Sequence, residues 1–202
     1  KMKTTVTPSV ERNKAPILEV LKLYITEHAR LLEIGSGTGE HAIFFSTHFP
    51  EMIWFTSDVK EQFGVIVENL RIAKLKNVAG PAVLDVSTDD FPDRPFNYVF
   101  SANTLHIMSW KENKSLFKLL GKRLREGAIV FFYGPFNYDG KFTSPSNEEF
   151  DKWLKDKNPK SGVRNFEDVL KSMNEKGLKL LQDHEMPANN RLLVFERLRH
   201  VS

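Results

Sequence analysis

Three carboxylates stand at the ends of short apolar runs, and a glycine-rich loop follows the first of them. Leu31 to Gly39 reads LLEIGSGTG, Ser57-Asp58 directly follows MIWFT, and Asp85 closes AVLD. Gly35, Gly37 and Gly39 recur at two-residue spacing, which lets a ligand pass close over the backbone. The spacing is not that of a dinucleotide fingerprint, whose third glycine would fall at Glu40, where a carboxylate beside a pyrophosphate is unfavourable. No phosphate-loop lysine follows either. Glu33, at the end of its run, can present a carboxylate to a cationic group. An acid in the position of Asp58 can accept hydrogen bonds from both hydroxyls of a ribose. Asp85 can meet the exocyclic amine of an adenine, with Val86 beside the base. Ammonium, ribose and adenine together describe S-adenosylmethionine.

These residues need a scaffold that brings strand ends to one edge, and the pattern of elements supplies it. Residues 16 to 28 (PILEVLKLYITEH) read as an amphipathic helix starting on a proline-compatible first turn. Arg30 to Ile34 reads as a strand and Glu40 to His48 as a helix. The alternation recurs with strands at 52–56, 79–86 and 96–101 and helices at 60–74 and 112–124. Ala128 to Tyr133 (AIVFFY) is wholly apolar, as expected of a central strand covered on both faces. An irregular stretch from Gly134 to Ser146 precedes helices near 147–155 and 165–176. Two last strands, 178–183 and 191–197, lie close together across MPANN as an antiparallel pair. The expectation is an α/β fold: a Rossmann-like, doubly wound sheet of seven strands, mostly parallel with an antiparallel C-terminal hairpin.

Composition bounds the chemistry. The 202 residues carry 29 Lys+Arg against 26 Asp+Glu and are 41% hydrophobic, which fits one globular domain over 1–202 rather than a disordered chain. With no cysteine there is no disulfide scaffold, no thiolate nucleophile and no Cys-ligated metal. No His/carboxylate set has metal-ligand spacing, so no metal is expected. The sequence pI is near 9.0, yet Lys alternates with acids and forms no run, the pattern of a solvated surface rather than a nucleic-acid footprint. No apolar stretch approaches the roughly 18 to 20 residues that span a bilayer, and the N-terminus lacks the apolar run of a signal peptide, so a cytoplasmic protein without a membrane partner is expected.

The acid-x-Gly-x-Gly-x-Gly loop followed by two strand-end acids resembles the first motifs of class I methyltransferases. The strings SVERNKAPILEVL, LLEIGSGTGEHA, LHIMSW, YGPFNYDGKFTSPSNEEFD and EMPANN extend this over nearly the whole chain and resemble the methyltransferase-like protein 26 family. That family usually has Ala where this chain has Gly35, and an aromatic-Gly-Val-Arg-Asp string where this chain has SGVRN, which leaves Arg164 the stronger candidate there. The resemblance implies a cofactor site that also takes in Ser36, Gly39 and His41. It implies that residues 1–28 form a lid and helix, with Arg12 and Asn13 facing the cofactor. It also implies that Asn189 and Asn190 face an acceptor.

In open α/β sheets the ligand lies beyond the carboxyl ends of the strands, which directs attention to SANTLHIMSW and to residues 134–165, a substrate-side insertion. The Asn/Asp-Pro-Pro-aromatic tetrad of nucleobase amino-group methylation is absent from the first of these. Asn103 can hold the methionine moiety or the acceptor, and His106 can act as a general base, its ordinary pKa near 6.5 suiting proton abstraction at neutral pH. Tyr133, Phe136 and Asn147 belong to a loop rich in rigid aromatics and turn residues, a second wall for an acceptor. The leading expectation is methyl transfer from S-adenosylmethionine to a small-molecule or peptide acceptor, leaving S-adenosylhomocysteine. An adaptor that binds the cofactor without turnover is the alternative. RNA methylation, resting on the basic pI and exposed aromatics, ranks last.

Overall fold

A computed structural model of the chain describes residues 7–26 and 28–199. Seven strands form one sheet in the spatial order Val78–Val83, Ile53–Asp58, Arg30–Glu33, Tyr98–Ala102, Ile129–Gly134, Asn190–Arg197 and Leu178–Met186, mostly parallel, with one antiparallel hairpin at its end. This is the Rossmann-like, doubly wound architecture expected from the alternation of strands and helices. The chain divides into two compact units, one ending at Ser101 and the other starting at Ala102.

The first unit contains α1 (Pro8–Tyr24), β1 (Arg30–Glu33), α2 (Glu40–Ser46), β2 (Ile53–Asp58), α3 (Phe63–Ala73), β3 (Val78–Val83) and β4 (Tyr98–Ala102). β1 is flanked by β2 and β4, both parallel to it, with Leu31 opposite Trp54 and Tyr98. Buried Leu31 and Leu32 on β1 and Val99 and Phe100 on β4 explain why these short runs become inner strands. Phe45 of α2 packs against Trp54 and Phe100, whose rings lie 5.5 and 5.6 Å from its own. This aromatic cluster fixes the helix that follows the glycine loop over the sheet. β3 is the first strand in the order and carries Pro81, which has no backbone N–H to offer.

Helix α1 begins eight residues earlier than the expected start at Pro16. Thr7 is its N-cap residue and Pro8 occupies the first turn, while Pro16 lies inside the helix. The rule that places proline at a helix start applied to both prolines, and Pro8 takes that place. The helix ends at Tyr24, so the expected continuation to His28 is not helical at Ile25, Thr26 and His28, and Glu27 lies outside the described residues. The third strand ends at Val83 rather than Val86, because Asp85 enters a turn in which its carbonyl accepts from Thr88 and Asp89 N–H.

The second unit contains α4 (Trp110–Arg123), β5 (Ile129–Gly134), β6 (Phe136–Asn137), α5 (Pro145–Lys157), β7 (Arg164–Asn165), α6 (Phe166–Glu175), β8 (Leu178–Met186) and β9 (Asn190–Arg197). β5 is buried from Val130 to Gly134 and pairs antiparallel with β9, and β9 pairs antiparallel with β8. β8, the last strand in the order, bulges between Leu180 and Gln182. Within the stretch expected to be irregular, Phe136-Asn137 pairs in parallel with Arg164-Asn165 as a separate two-stranded sheet. A capping box starts α4, with the Ser109 hydroxyl accepting from Glu112 N–H and the Glu112 carboxylate accepting from Ser109 N–H.

Candidate cofactor site and acceptor-side residues

In the first unit the glycine loop is sewn to the end of β2. Ser36 N–H donates to the Ser57 carbonyl at 2.9 Å, and Ser57 N–H donates to Ser36 Oγ at 3.0 Å. Asp58 completes the seam: its Oδ2 accepts from Gly37 N–H at 2.8 Å and its Oδ1 from Val59 N–H at 2.7 Å. Each of those oxygens keeps a second acceptor position. Gly35, Gly37 and Gly39 all have positive φ, and Gly39 is the left-handed N-cap of α2. A Cβ built on Gly37 would meet no protein atom within 4 Å, so the loop borders open space there.

Glu33 ends β1 and is 2% exposed. Its Oε1 accepts from the Trp54 indole N–H at 3.2 Å. Burial pushes its carboxyl up to about 7, hydrogen bonds from Ser36 and Trp54 oppose that, and the nearby Asp58 carboxylate adds to it. Asp58 is also raised by burial, against the lowering effect of the Gly37 and Val59 N–H groups. Two desolvated carboxylates around a glycine loop form a site that a cation would relax. Asp85 lies just beyond β3, with Oδ1 accepting from Ser87 N–H at 2.9 Å, and Val86 beside it is buried.

Helix α1 is tied to α2 through residues the sequence singled out and one it did not. Asn13 Oδ1 and His41 Nε2 lie 2.8 Å apart, so these two candidates are brought together. His41 stacks on Phe45, and burial together with the Lys14 charge lowers its pKa to about 4. Glu40 stands where a dinucleotide fingerprint would have its third glycine, and it is the first residue of α2. It accepts hydrogen bonds from Thr7 N–H and Oγ1 and from Thr38 Oγ1. Arg12 is exposed on α1. The expected lid segment is thus helical from Pro8, and its residues 1–6 lie outside the described ones.

In the second unit Asn103 has φ 54° and its N–H donates to the Tyr133 carbonyl at 2.9 Å. The Asn103 and His106 side chains converge over Gly134: a Cβ there would lie 3.5 Å from His106 Nδ1 and 3.7 Å from Asn103 Oδ1. His106 is 4% exposed and meets the Phe150 ring edge-on at 5.1 Å. Burial and the Arg164 charge lower its pKa to about 4, so at neutral pH the ring is uncharged and a weaker base than an ordinary histidine. Arg164 donates to the carbonyls of Leu105, Met108 and Lys160. Asn113 of α4 donates to those of Leu105, Met108 and Ser109. Asn113 is a residue the sequence reading missed, and the polar residue on the apolar stripe of α4 was its signal.

Tyr133 and Phe136 are buried, and Asn147 of α5 reaches the β8–β9 turn, its Nδ2 donating to the Asn189 carbonyl at 3.2 Å. Ala188 and Asn189 have φ of 58° and 59°, the two left-handed residues at the centre of a turn that Asn190 N–H closes onto the Pro187 carbonyl, within the three residues that join β8 to β9. Asn190 Nδ2 donates to the Pro187 carbonyl at 3.2 Å. Phe136, Asn189 and Asn190 line a cavity of ≈ 230 Å³.

This architecture, a Rossmann-like seven-stranded sheet, is shared with solved methyltransferase structures. The chain belongs to the family described as "Protein of unknown function (DUF938)", whose model matches residues 4–197. Among solved structures it is similar to the S-adenosylmethionine-dependent methyltransferase SibL in its apo form, with TM-score 0.79 and 19% identity over 95% of this chain and 56% of that one. It is similar to an O-methyltransferase family 2 protein from Planctomyces limnophilus DSM 3776 in complex with apigenin, with TM-score 0.79 and 16% identity over 92% and 56%. It is also similar to human N-acetylserotonin methyltransferase in complex with SAM, with TM-score 0.78 and 12% identity over 94% and 53%. The chain spans little more than half the length of these structures, and at such identities the likeness establishes the fold. Among the described residues no group of three His, Asp or Glu could hold a metal ion, and no helix is long and apolar enough to cross a membrane.

Proposed function

We propose that this chain is an S-adenosylmethionine-dependent methyltransferase acting on a small-molecule or peptide acceptor, and that within its family it stands with the methyltransferase-like protein 26 group. The observation that carries this reading is the pair of desolvated carboxylates, Glu33 and Asp58, around a glycine loop that borders open space. The residues fit the cofactor: Glu33 would take its ammonium, Asp58 the ribose hydroxyls and Asp85 with Val86 the adenine. Gly35, Ser36, Gly37 and Gly39 would give it passage over the backbone, and Asn13 with His41 would close the α1 side. When bound, the cofactor supplies an activated methyl group on sulfur.

What remains for the protein is to align the acceptor and exclude water, which accounts for most of the acceleration in such an in-line displacement. The buried, uncharged His106 suits positioning by hydrogen bond, with Asn103 beside it, and a strong base is not required. The same burial of His106 favours the second reading, a cofactor-binding adaptor without turnover. Calorimetric titration with S-adenosylmethionine and with S-adenosylhomocysteine, after mass spectrometry for carried-over ligand, tests the cofactor site. Micromolar binding of both supports it, and absence of binding to folded, ligand-free protein overturns it. Methyl transfer from labelled donor to any acceptor then decides between enzyme and adaptor.

A further inference from the structure

The ≈ 230 Å³ cavity of the second unit holds a guanidinium set in place with its donors unused. Arg191, on its wall, is 28% exposed. It lies over the Tyr138 ring at 5.1 Å, and the other partner of that ring is Phe166, stacked at 5.0 Å. Tyr138 in turn donates its hydroxyl to Asp183 Oδ2 at 2.6 Å. The guanidinium has two carboxylates within 4 Å, Asp183 with Oδ1 at 3.7 Å and Glu185 with Oε1 at 3.5 Å, neither in hydrogen-bond geometry, and Asp183 Oδ1 accepts no hydrogen bond. Glu185 is 84% exposed, so water screens its charge. An ordinary structural arginine spends its five N–H groups on carboxylates or carbonyls, as Arg164 and Arg197 do here. Arg191 is oriented by an aromatic face and a partly buried carboxylate but spends none.

We infer that this cavity binds a small molecule or side chain bearing a carboxylate, held by Arg191 as a two-pronged pair, so that the acceptor of the proposed reaction is an organic acid. A planar guanidinium matches a carboxylate with two parallel hydrogen bonds, and its rigid fork loses little freedom in forming them. The Thr143 hydroxyl, which accepts from Asn147 Nδ2, keeps its own proton for a second oxygen of the ligand. The volume lies below the roughly 300 to 1,000 Å³ of pockets for drug-sized ligands, which sets the scale of the group received. The word acceptor rests on the methyltransferase reading, whereas binding of an acid at Arg191 does not.

The experiment uses the full chain without cofactor and three probes of one shape, benzoate, benzamide and benzylamine, followed by two-dimensional ¹H–¹⁵N NMR including the arginine Nε–H signals. Benzoate alone should bind and shift Arg191, with affinity falling about tenfold or more in Arg191→Gln and less in Arg191→Lys. Equal binding of benzamide or benzylamine, no benzoate binding, or benzoate binding unchanged in Arg191→Gln would overturn the inference. Should Arg191→Gln fail to fold, the exposed Glu185→Gln decides: removing the competing carboxylate should tighten benzoate binding about twofold, and unchanged or weaker binding counts against the site. Titration of the same protein with S-adenosylhomocysteine reads the cofactor site separately, so failure of one assignment is distinguishable from failure of the other.

Discussion

The glycine loop of the first unit and the 103–109 loop of the second are both held by side chains, but with donor and acceptor reversed. In the first, backbone N–H groups of Gly37 and Val59 point at the carboxylate of Asp58. In the second, backbone carbonyls of Leu105 and Met108 receive N–H groups from Asn113 and Arg164. The consequence is electrostatic. The first loop gathers desolvated acids, and Glu33 titrates near neutrality. The second is set by cationic and amide donors, and its histidine has been pushed out of the physiological range. A ligand cation is therefore felt as protonation change in the first region, while the second is built to be insensitive to pH around 7.

The sharpest way to break this contrast is through pH. Glu33 titrates at 4.5 ordinarily and at about 7 in the fold, so the folded state binds the proton more tightly. Its contribution to stability is present at low pH and declines as pH rises from about 4.5 to about 7, by on the order of 3 kcal/mol. The stability difference between wild type and Glu33→Gln, from denaturant unfolding, should drift by that amount across the window. His106 runs the other way: its pKa falls from 6.5 to about 4 in the fold, so its contribution is intact above about 6.5 and declines as pH drops toward 4. His106→Gln should lose part of the acid sensitivity of the wild type, and parallel curves for the two proteins would show that the ring is not desolvated as described. His41 shares this sign, so comparison with single variants is what isolates each group.

Ligand affinity sharpens the contrast further. Asp58→Ala should weaken S-adenosylhomocysteine binding by roughly 1.5 to 3 kcal/mol, about 10- to 150-fold, if the carboxylate holds the ribose. Calorimetry showing an unchanged affinity would remove Asp58 from the site. In the second region, Asn113→Leu deprives three carbonyls of a donor and should cost about 2 kcal/mol of folding stability while sparing cofactor affinity. A matching loss of cofactor affinity would show that the two loops do not act as separately as their bonding suggests. Smallest of all, Ala188→Gly relieves a left-handed alanine and should stabilise the hairpin by about 0.5 kcal/mol, measurable as a rise in Tm.

The sequence made the first region far more legible than the second, for a physical reason. Strands β1 and β4 are short runs of buried apolar residues, and three glycines at fixed spacing announce the loop between element types. Glu33 and Asp58 stand where strand ends must place them. The supports of the second region come from afar: Asn113 holds a loop from within α4, and Arg164 reaches back 59 residues to Leu105. Such reach is set by tertiary packing and leaves no periodic trace. Tyr138, Asp183 and Arg191 likewise meet only because β8 and β9 pair in one register, with Asp183 opposite Leu193 and Arg191 opposite Glu185. Asn189 and Asn190 were legible as turn residues: Asn189 is left-handed in the turn and Asn190 opens β9. The start of α1 was misplaced because two prolines satisfied the same local rule.

The two outermost strands carry one more consequence, for the behaviour of the protein at high concentration. An open sheet ends in strands whose free backbone groups can recruit the edge of another molecule and seed aggregation. Here β3 is interrupted by Pro81, and β8 bulges at Leu181 and presents Lys179 and Glu185 along its length. Both edges therefore carry a feature that discourages edge-to-edge pairing, a residue without an N–H on one side and a bulge flanked by charges on the other.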